Sequence, residues 1–207
     1  LAHWHLPGNA LVELVVRHWL GVYAGTPENS VAPNPARPGA RPSRCTKGRG
    51  VLTLILPSEQ QELLLAALRK AGRREVGGIM MGEHAGPNLF VVREITVHRR
   101  GAFASFVRRI EDAIGRLCAF FHHTGHDYTR FNYLGEWHSH PSFAPYPSRT
   151  DDLSMLQIVQ DEAVGANFAV LLIVKLGAKG ELISTAHTYL PDGRRMPSKV
   201  NTEQEPA

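Results

Sequence analysis

The residues with the clearest chemical potential lie in one short run, Gly135-Glu-Trp-His138-Ser-His140-Pro-Ser-Phe-Ala-Pro-Tyr-Pro-Ser148-Arg-Thr-Asp151. In a strand, residues two apart point to the same side, so His138 and His140 present two imidazoles to one cavity. Pro141 ends the strand, a proline-rich loop turns the chain, and Asp151 opens the next helix, where its carboxylate can return to the same point. Two histidines and one carboxylate leave the fourth position of a zinc ion for water, the open coordination of a catalytic site. Zinc held this way acidifies that water. Hydrolysis then needs a base to take the water proton and hand it to the leaving amine. No HExxH helix supplies one. Two carboxylates are candidates: Glu136, on the strand face of the histidines, and Glu75, at the mouth of Glu75-Val-Gly-Gly-Ile-Met-Met-Gly82. Spacing alone does not choose between them.

Other reactive groups read as structural. Ser148 can cap the helix that follows it, and Asp151 and Asp152 are also favoured there, which makes Asp152 the natural decoy ligand. His122, His123 and His126 recur at near-helical spacing without a carboxylate or cysteine that completes a metal site, and read as a surface or interface patch. Met80 and Met81 are expected to pack under the sheet. Cys118 reads as core, with no paired base to make it a nucleophile. With only Cys45 beside it, neither a disulfide framework nor a cysteine-rich zinc site can be built, which fits a reducing, cytoplasmic setting.

The elements that must position these groups follow from periodicity. Val51–Leu56 predicts a strand, and Pro57-Ser-Glu opens a helix with Ser58 as N-cap and Leu63, Leu64, Ala67 and Leu68 along it. Val76–Gly82 and Leu89–Val97 predict a hairpin across His84–Asn88. Phe106, Ile110, Ala113, Ile114, Leu117, Phe120 and Phe121 step at helical intervals as far as Gly125. Asn132–His138 is a strand, Asp151–Ala163 a third helix, and Phe168–Leu176 and Leu182–Tyr189 a last pair of strands. No glycine-rich phosphate loop follows any strand, so a doubly wound nucleotide-binding fold is disfavoured. The order predicts an α/β sandwich around a curved mixed sheet.

Outside this ordered stretch the composition changes. Residues 1–50 combine a short amphipathic helix over Ala10–Tyr23 with a flexible linker holding Pro27, Pro33, Pro35, Pro38 and Pro42 among Arg37, Arg41, Arg44, Lys47 and Arg49. Residues 51–190 form the domain, and residues 191–207 a polar, frayed C-terminal tail. The formal charge of +4 comes from a small surplus of arginine and is no nucleic-acid footprint. The apolar run Ala10–Ala24 is broken by Glu13, Arg17 and His18, so neither export nor membrane insertion is predicted.

The spacing His138-Ser-His140, seven residues, Ser148-Arg-Thr-Asp151, with Glu75-Val-Gly-Gly-Ile upstream, resembles the JAMM (MPN+, JAB-domain) metalloprotease family over about Val51 to Tyr189. The resemblance implies a cytidine-deaminase-like JAB/MPN sandwich, a curved mixed β-sheet flanked by helices. It also implies one catalytic Zn2+ held by His138, His140 and Asp151, Glu75 as general acid and base, and Ser148 as the hydroxyl that steadies the oxyanion. Family members with this set are isopeptidases or peptidases that cut after the C-terminal glycines of ubiquitin or ubiquitin-like proteins. The stretch Gly125–His138 is similar to bacterial members encoded beside E1-like and E2-like enzymes, including those of CBASS anti-phage operons. That likeness implies a deconjugase acting on a ubiquitin-like protein, or on an enzyme with a ubiquitin-like tail, with the operon proteins as further partners. Rival readings are a peptidase that trims a sulfur-carrier or ubiquitin-like precursor, a metal-free MPN-type scaffold, and a protein similar to the DNA-repair-associated RadC group, whose only support is the basic linker.

Overall fold

In the computed structural model the described residues are 51–99, 115–161 and 166–202. The N-terminal helix and linker expected over 1–50, and the first part of the helix expected from Phe106, lie outside them.

Eight strands form one mixed sheet: β1 (Thr53–Ile55), β2 (Val76–Gly86), β3 (Leu89–Ile95), β4 (His98–Arg99), β5 (Phe131–Ser139), β6 (Ala169–Leu176), β7 (Leu182–Tyr189) and β8 (Arg195–Asn201). Their order is β3-β1-β8-β7-β6-β5-β2-β4, and β2 also pairs with β3. The expected mixed sheet with helices is present, but that extra pairing closes it. All strands except β4 form a ring, where an open sheet between layers was expected. The cause is the length and irregularity of β2, which shares one edge between β4 at Val76–Gly77 and β3 at Met80–Gly86. Its register slips against β3 at Met81/Gly82 and His84/Gly86, and against β5 at Met80/Met81. Each slip adds bend and twist to a strand. Gly82 permits a close approach at one slip: a Cβ there would lie 2.3 Å from Leu134 and 2.4 Å from the Val91 carbonyl.

Helix α1 (Ser58–Ala71) buries Leu64, Ala67, Leu68 and Ala71 on one stripe and stops at Gly72, whose φ of 62° suits glycine. Ser58 is not its N-cap; Pro57 holds that position, with no side-chain cap. The stripe packs into a core with Leu54, Met80, Phe90, Trp137, Val170 and Leu172. Met80 and Met81 are wholly buried, as expected. Helix α2, described over 115–123, turns Leu117, Phe120 and Phe121 inward. Cys118 follows Leu117 by one position, about 100° round the helix, and is exposed, which corrects its reading as core. Helix α3 (Arg149–Gln160) lays Met155, Ile158 and Val159 on Ala169, Leu171, Ile173 and Tyr189.

The tail also departs from expectation, because Arg195–Asn201 pairs with both β7 and β1. Its alternation is faint, with Met196 and Val200 as the apolar side chains packed on the core. Pro197 is tolerated there because β1 reaches only Lys199–Asn201, so no neighbour needs the missing N–H on that side. Among the described residues no helix is long and apolar enough to cross a membrane.

Candidate metal centre

β5 runs between β2 and β6, with His138 beside Gly77 on one side and Ile173 on the other. Gly77 makes room for this packing: a Cβ there would meet the Trp137 carbonyl at 2.6 Å and the His138 Cβ at 3.0 Å. Beyond the strand, the His140 N–H still donates to Val174 at 3.0 Å, which carries the ladder past the point where Pro141 turns the chain. The loop that follows is pinned through three consecutive carbonyls. Phe143 accepts from Lys175 Nζ at 3.1 Å, Ala144 pairs with His140 Nδ1 at 3.1 Å, and Pro145 accepts from the Thr185 hydroxyl.

At its end, Ser148 caps α3 in a reciprocal box. Its hydroxyl accepts from the Asp151 N–H at 3.3 Å, and the Asp151 carboxylate accepts from the Ser148 N–H at 2.8 Å. The cap therefore turns Asp151 back toward the sheet. There the His138 and His140 Nε2 atoms lie 3.1 Å apart, and the Asp151 oxygens lie 3.4 Å and 3.7 Å from them. All three residues are buried, and among the described residues they form the cluster able to hold a metal ion.

The donor set fits zinc. At zinc bond lengths of about 2.0–2.1 Å, tetrahedral ligand atoms stand about 3.3 Å from one another, close to the separations found. An Nδ1–H donated to Ala144 puts the lone pair of His140 on Nε2, facing the centre. Burial would raise the Asp151 carboxyl, but the hydrogen bond and charge attraction of His138, with the Ser148 bonds, outweigh it. Asp151 is held well below the usual carboxylate range.

The two candidate bases lie on opposite sides of His138. Carried two residues beyond Gly77–His138, the antiparallel register sets half-buried Glu75 across from His140 on the same sheet face. Next to it, the Val76 N–H is fixed by the Ser139 hydroxyl at 3.0 Å. Glu136 pairs with Ile79, on the other side of His138 from His140. Ser148 is exposed, and its hydroxyl accepts from the Asp151 N–H in the cap. Asp152 does not join the centre; its carboxylate binds Tyr189 and Arg195. Sequence reasoning missed both partners, since Arg195 belongs to the strand that read as a tail. His122, His123 and His126 are exposed, as expected of a surface patch, with His123 on Glu94 and His126 on Tyr128, each at 2.8 Å.

The chain is similar to several known proteins. The chain is 28% identical over 126 residues to a "CD-NTase/cGAS isopeptidase" of Enterobacter hormaechei subsp. hoffmannii (strain UCI 50), a match covering 59% of this chain and 67% of that protein. A solution structure of a Desulfitobacterium hafniense protein aligns with 73% of this chain and 94% of its own, at 20% identity and a TM-score of 0.49. A family model described as prokaryotic homologs of the JAB domain matches residues 57–187. That span is more than half of the 207 residues and contains His138, His140, Ser148 and Asp151, and by it the chain belongs to the prokaryotic JAB-domain family.

Proposed function

We propose that this protein is a zinc-dependent isopeptidase that cleaves after the C-terminus of a ubiquitin-like protein, or of an enzyme with a ubiquitin-like tail, and so reverses its conjugation to target proteins. The observation that carries the reading is the buried trio His138, His140 and Asp151, whose ligand atoms, one from each residue, all lie within 4.8 Å of one another in a JAB-family domain. The name of the Enterobacter relative, "CD-NTase/cGAS isopeptidase", supports the reaction, and a setting in bacterial anti-phage defence, in the cytoplasm, is part of the same proposal.

In this reading His138, His140 and Asp151 hold the metal, which supplies Lewis acidity that lowers the pKa of a water and polarises a carbonyl. Glu75, across the strand from His140, takes the proton from the attacking water and returns it to the leaving lysine amine. The register favours Glu75 over Glu136, which sits on the side of His138 away from His140. The Ser148 hydroxyl donates to the oxyanion as the carbonyl becomes tetrahedral. The Ser148 N–H, at 2.8 Å, keeps the Asp151 carboxylate oriented toward the two histidines.

The test is metal analysis of protein purified without a metal-binding tag, together with cleavage of ubiquitin-like proteins carrying a C-terminal fusion or an isopeptide-linked lysine. About one zinc per chain and chelator-sensitive cleavage of the isopeptide are expected. Glu75→Gln should keep the zinc and lose about 10²–10⁴-fold in kcat. Full activity in Glu75→Gln would overturn the mechanism. Cleavage of the linear fusion alone would replace the deconjugase with a processing peptidase, and protein without zinc or activity would point to a scaffold.

A further inference from the structure

The first turn of α3 carries a metal-site ligand and almost nothing apolar to hold it down. Arg149 and Thr150 are exposed and Leu153 is 55% exposed, whereas the buried apolar residues of the helix, Met155, Ile158 and Val159, lie further along. The turn is anchored by polar bonds instead. One peptide bond after Asp151, the Asp152 carboxylate accepts the Tyr189 hydroxyl at 2.6 Å, and Arg195 Nη1 reaches both of its oxygens at 2.8 Å. The two donors come from adjacent strands, β7 and β8, which pair at Tyr189–Arg195. Tyr189 is wholly buried among Met155, Ile158, Val159, Ala169, Leu171 and Ile173, so its ring cannot swing away. Burial, reinforced by Asp152, pushes its hydroxyl well above the usual phenol range and keeps it a donor.

We propose that Tyr189 and Arg195 are positioning residues for the metal centre: by gripping Asp152 from two strands they fix the height and rotation of the α3 first turn, and with it the reach of Asp151 toward His138 and His140. The inference rests on the metal-binding reading of that trio. Its physical basis is preorganisation. The three ligands come from two elements joined by the loop 141–148, and a divalent cation binds them tightly only if their spacing is set before it arrives. The His138–Asp151 separation of 3.4 Å is the spacing that the clamp maintains. Neither Tyr189 nor Arg195 belongs to the metal-capable trio, so their loss acts on it through the α3 first turn.

The experiment measures zinc affinity of the full chain by competition with a chromophoric chelator at neutral pH. Tyr189→Phe, which removes only the hydroxyl, and Arg195→Gln, which changes a surface side chain, should each weaken zinc by about 10-fold, the size typical of lost outer-sphere support. Two controls separate positioning from general stability. Arg194→Gln breaks only the neighbouring exposed pair with Asp192 and should stay within about twofold of the parent. Val92→Ala, in the core cluster that does not include Tyr189, should lower the melting temperature through a core cavity while the folded protein keeps its zinc affinity. Parent-like affinity in both clamp variants would overturn the proposal while leaving the metal reading intact. An affinity loss in Val92→Ala equal to theirs would also overturn it, as a mere stability effect. A parent protein that takes up no zinc would sink the metal reading itself, and the clamp with it.

Discussion

Two buried carboxylates of similar exposure, Glu83 at 8% and Asp151 at 9%, have opposite electrostatic surroundings. Glu83 on β2 is neutralised inside the protein: Arg93 Nε donates to one oxygen at 2.8 Å and Arg130 Nε to the other at 2.7 Å. The three residues tie together β2, β3 and the start of β5. Asp151 faces two imidazole nitrogens at 3.4 Å and 3.7 Å and takes its closest bond from the Ser148 N–H at 2.8 Å. No arginine or lysine is paired with it among the described residues. Burial in this protein therefore does not mark function. What distinguishes the candidate centre is a buried carboxylate that faces two imidazoles with no arginine or lysine paired to it among the described residues, whereas at Glu83 two permanent cations complete the account.

The largest effect that would break this contrast is on metal binding. Asp151→Asn preserves size and an oxygen for the helix cap but removes the charge, so zinc affinity should fall by about 100-fold, or about 2.7 kcal/mol. Stability without metal should fall by about 1 kcal/mol, because the attraction that outweighed desolvation is lost while the Ser148 cap is kept. Chelator competition and urea unfolding on one preparation measure both. Zinc held with parent affinity would mean that Asp151 is not the anionic ligand. Glu83→Gln should do the reverse and leave zinc affinity within about twofold. It should cost about 2 kcal/mol of folding stability, since two guanidinium groups then face each other across a neutral amide. Arg93 and Arg130 are 37% and 59% exposed, so solvent relieves part of that cost, and the figure stays below that of a fully buried pair.

The same contrast explains what could be read from the sequence. The ligand set was legible because its geometry is local: a two-residue strand step aligns His138 with His140, and a three-residue capping step brings Asp151 back from Ser148. The helices and most strands were legible from periodicity for the same reason. Closure of the sheet was not, because it depends on β2 dividing one edge between β3 and β4 and on β1 lying parallel to both β3 and β8. Glu83 looked like any strand carboxylate, since Arg130 lies 47 residues away in sequence. Asp152 looked like a spare ligand because its partners lie 37 and 43 residues away. Cys118 was misread because the apolar stripe of its helix runs through Leu117, Phe120 and Phe121 and passes it by.

The smallest effect sharpens the contrast through pH. Burial tends to raise the Glu83 carboxyl, but the hydrogen bonds and charges of Arg93 and Arg130 together hold it below its ordinary 4.5. A carboxyl with a depressed folded pKa contributes stability that is fully present above the unfolded value and is lost as pH falls through the folded one. The stability gap between the parent and Glu83→Gln should thus be constant from about pH 7 down to about pH 5, then narrow as the parent carboxylate takes up its proton. The slope of that narrowing cannot exceed about 1.4 kcal/mol per pH unit for one proton. Urea unfolding of metal-free protein at successive pH values measures the gap. Asp151 is present in both proteins, so its own acid titration cancels in the difference. A gap that stayed constant into acid would mean that the arginines hold the shape of the Glu83 side chain and not its charge, and the distinction between a carboxylate paired with permanent cations and one facing two imidazoles would no longer stand on Glu83.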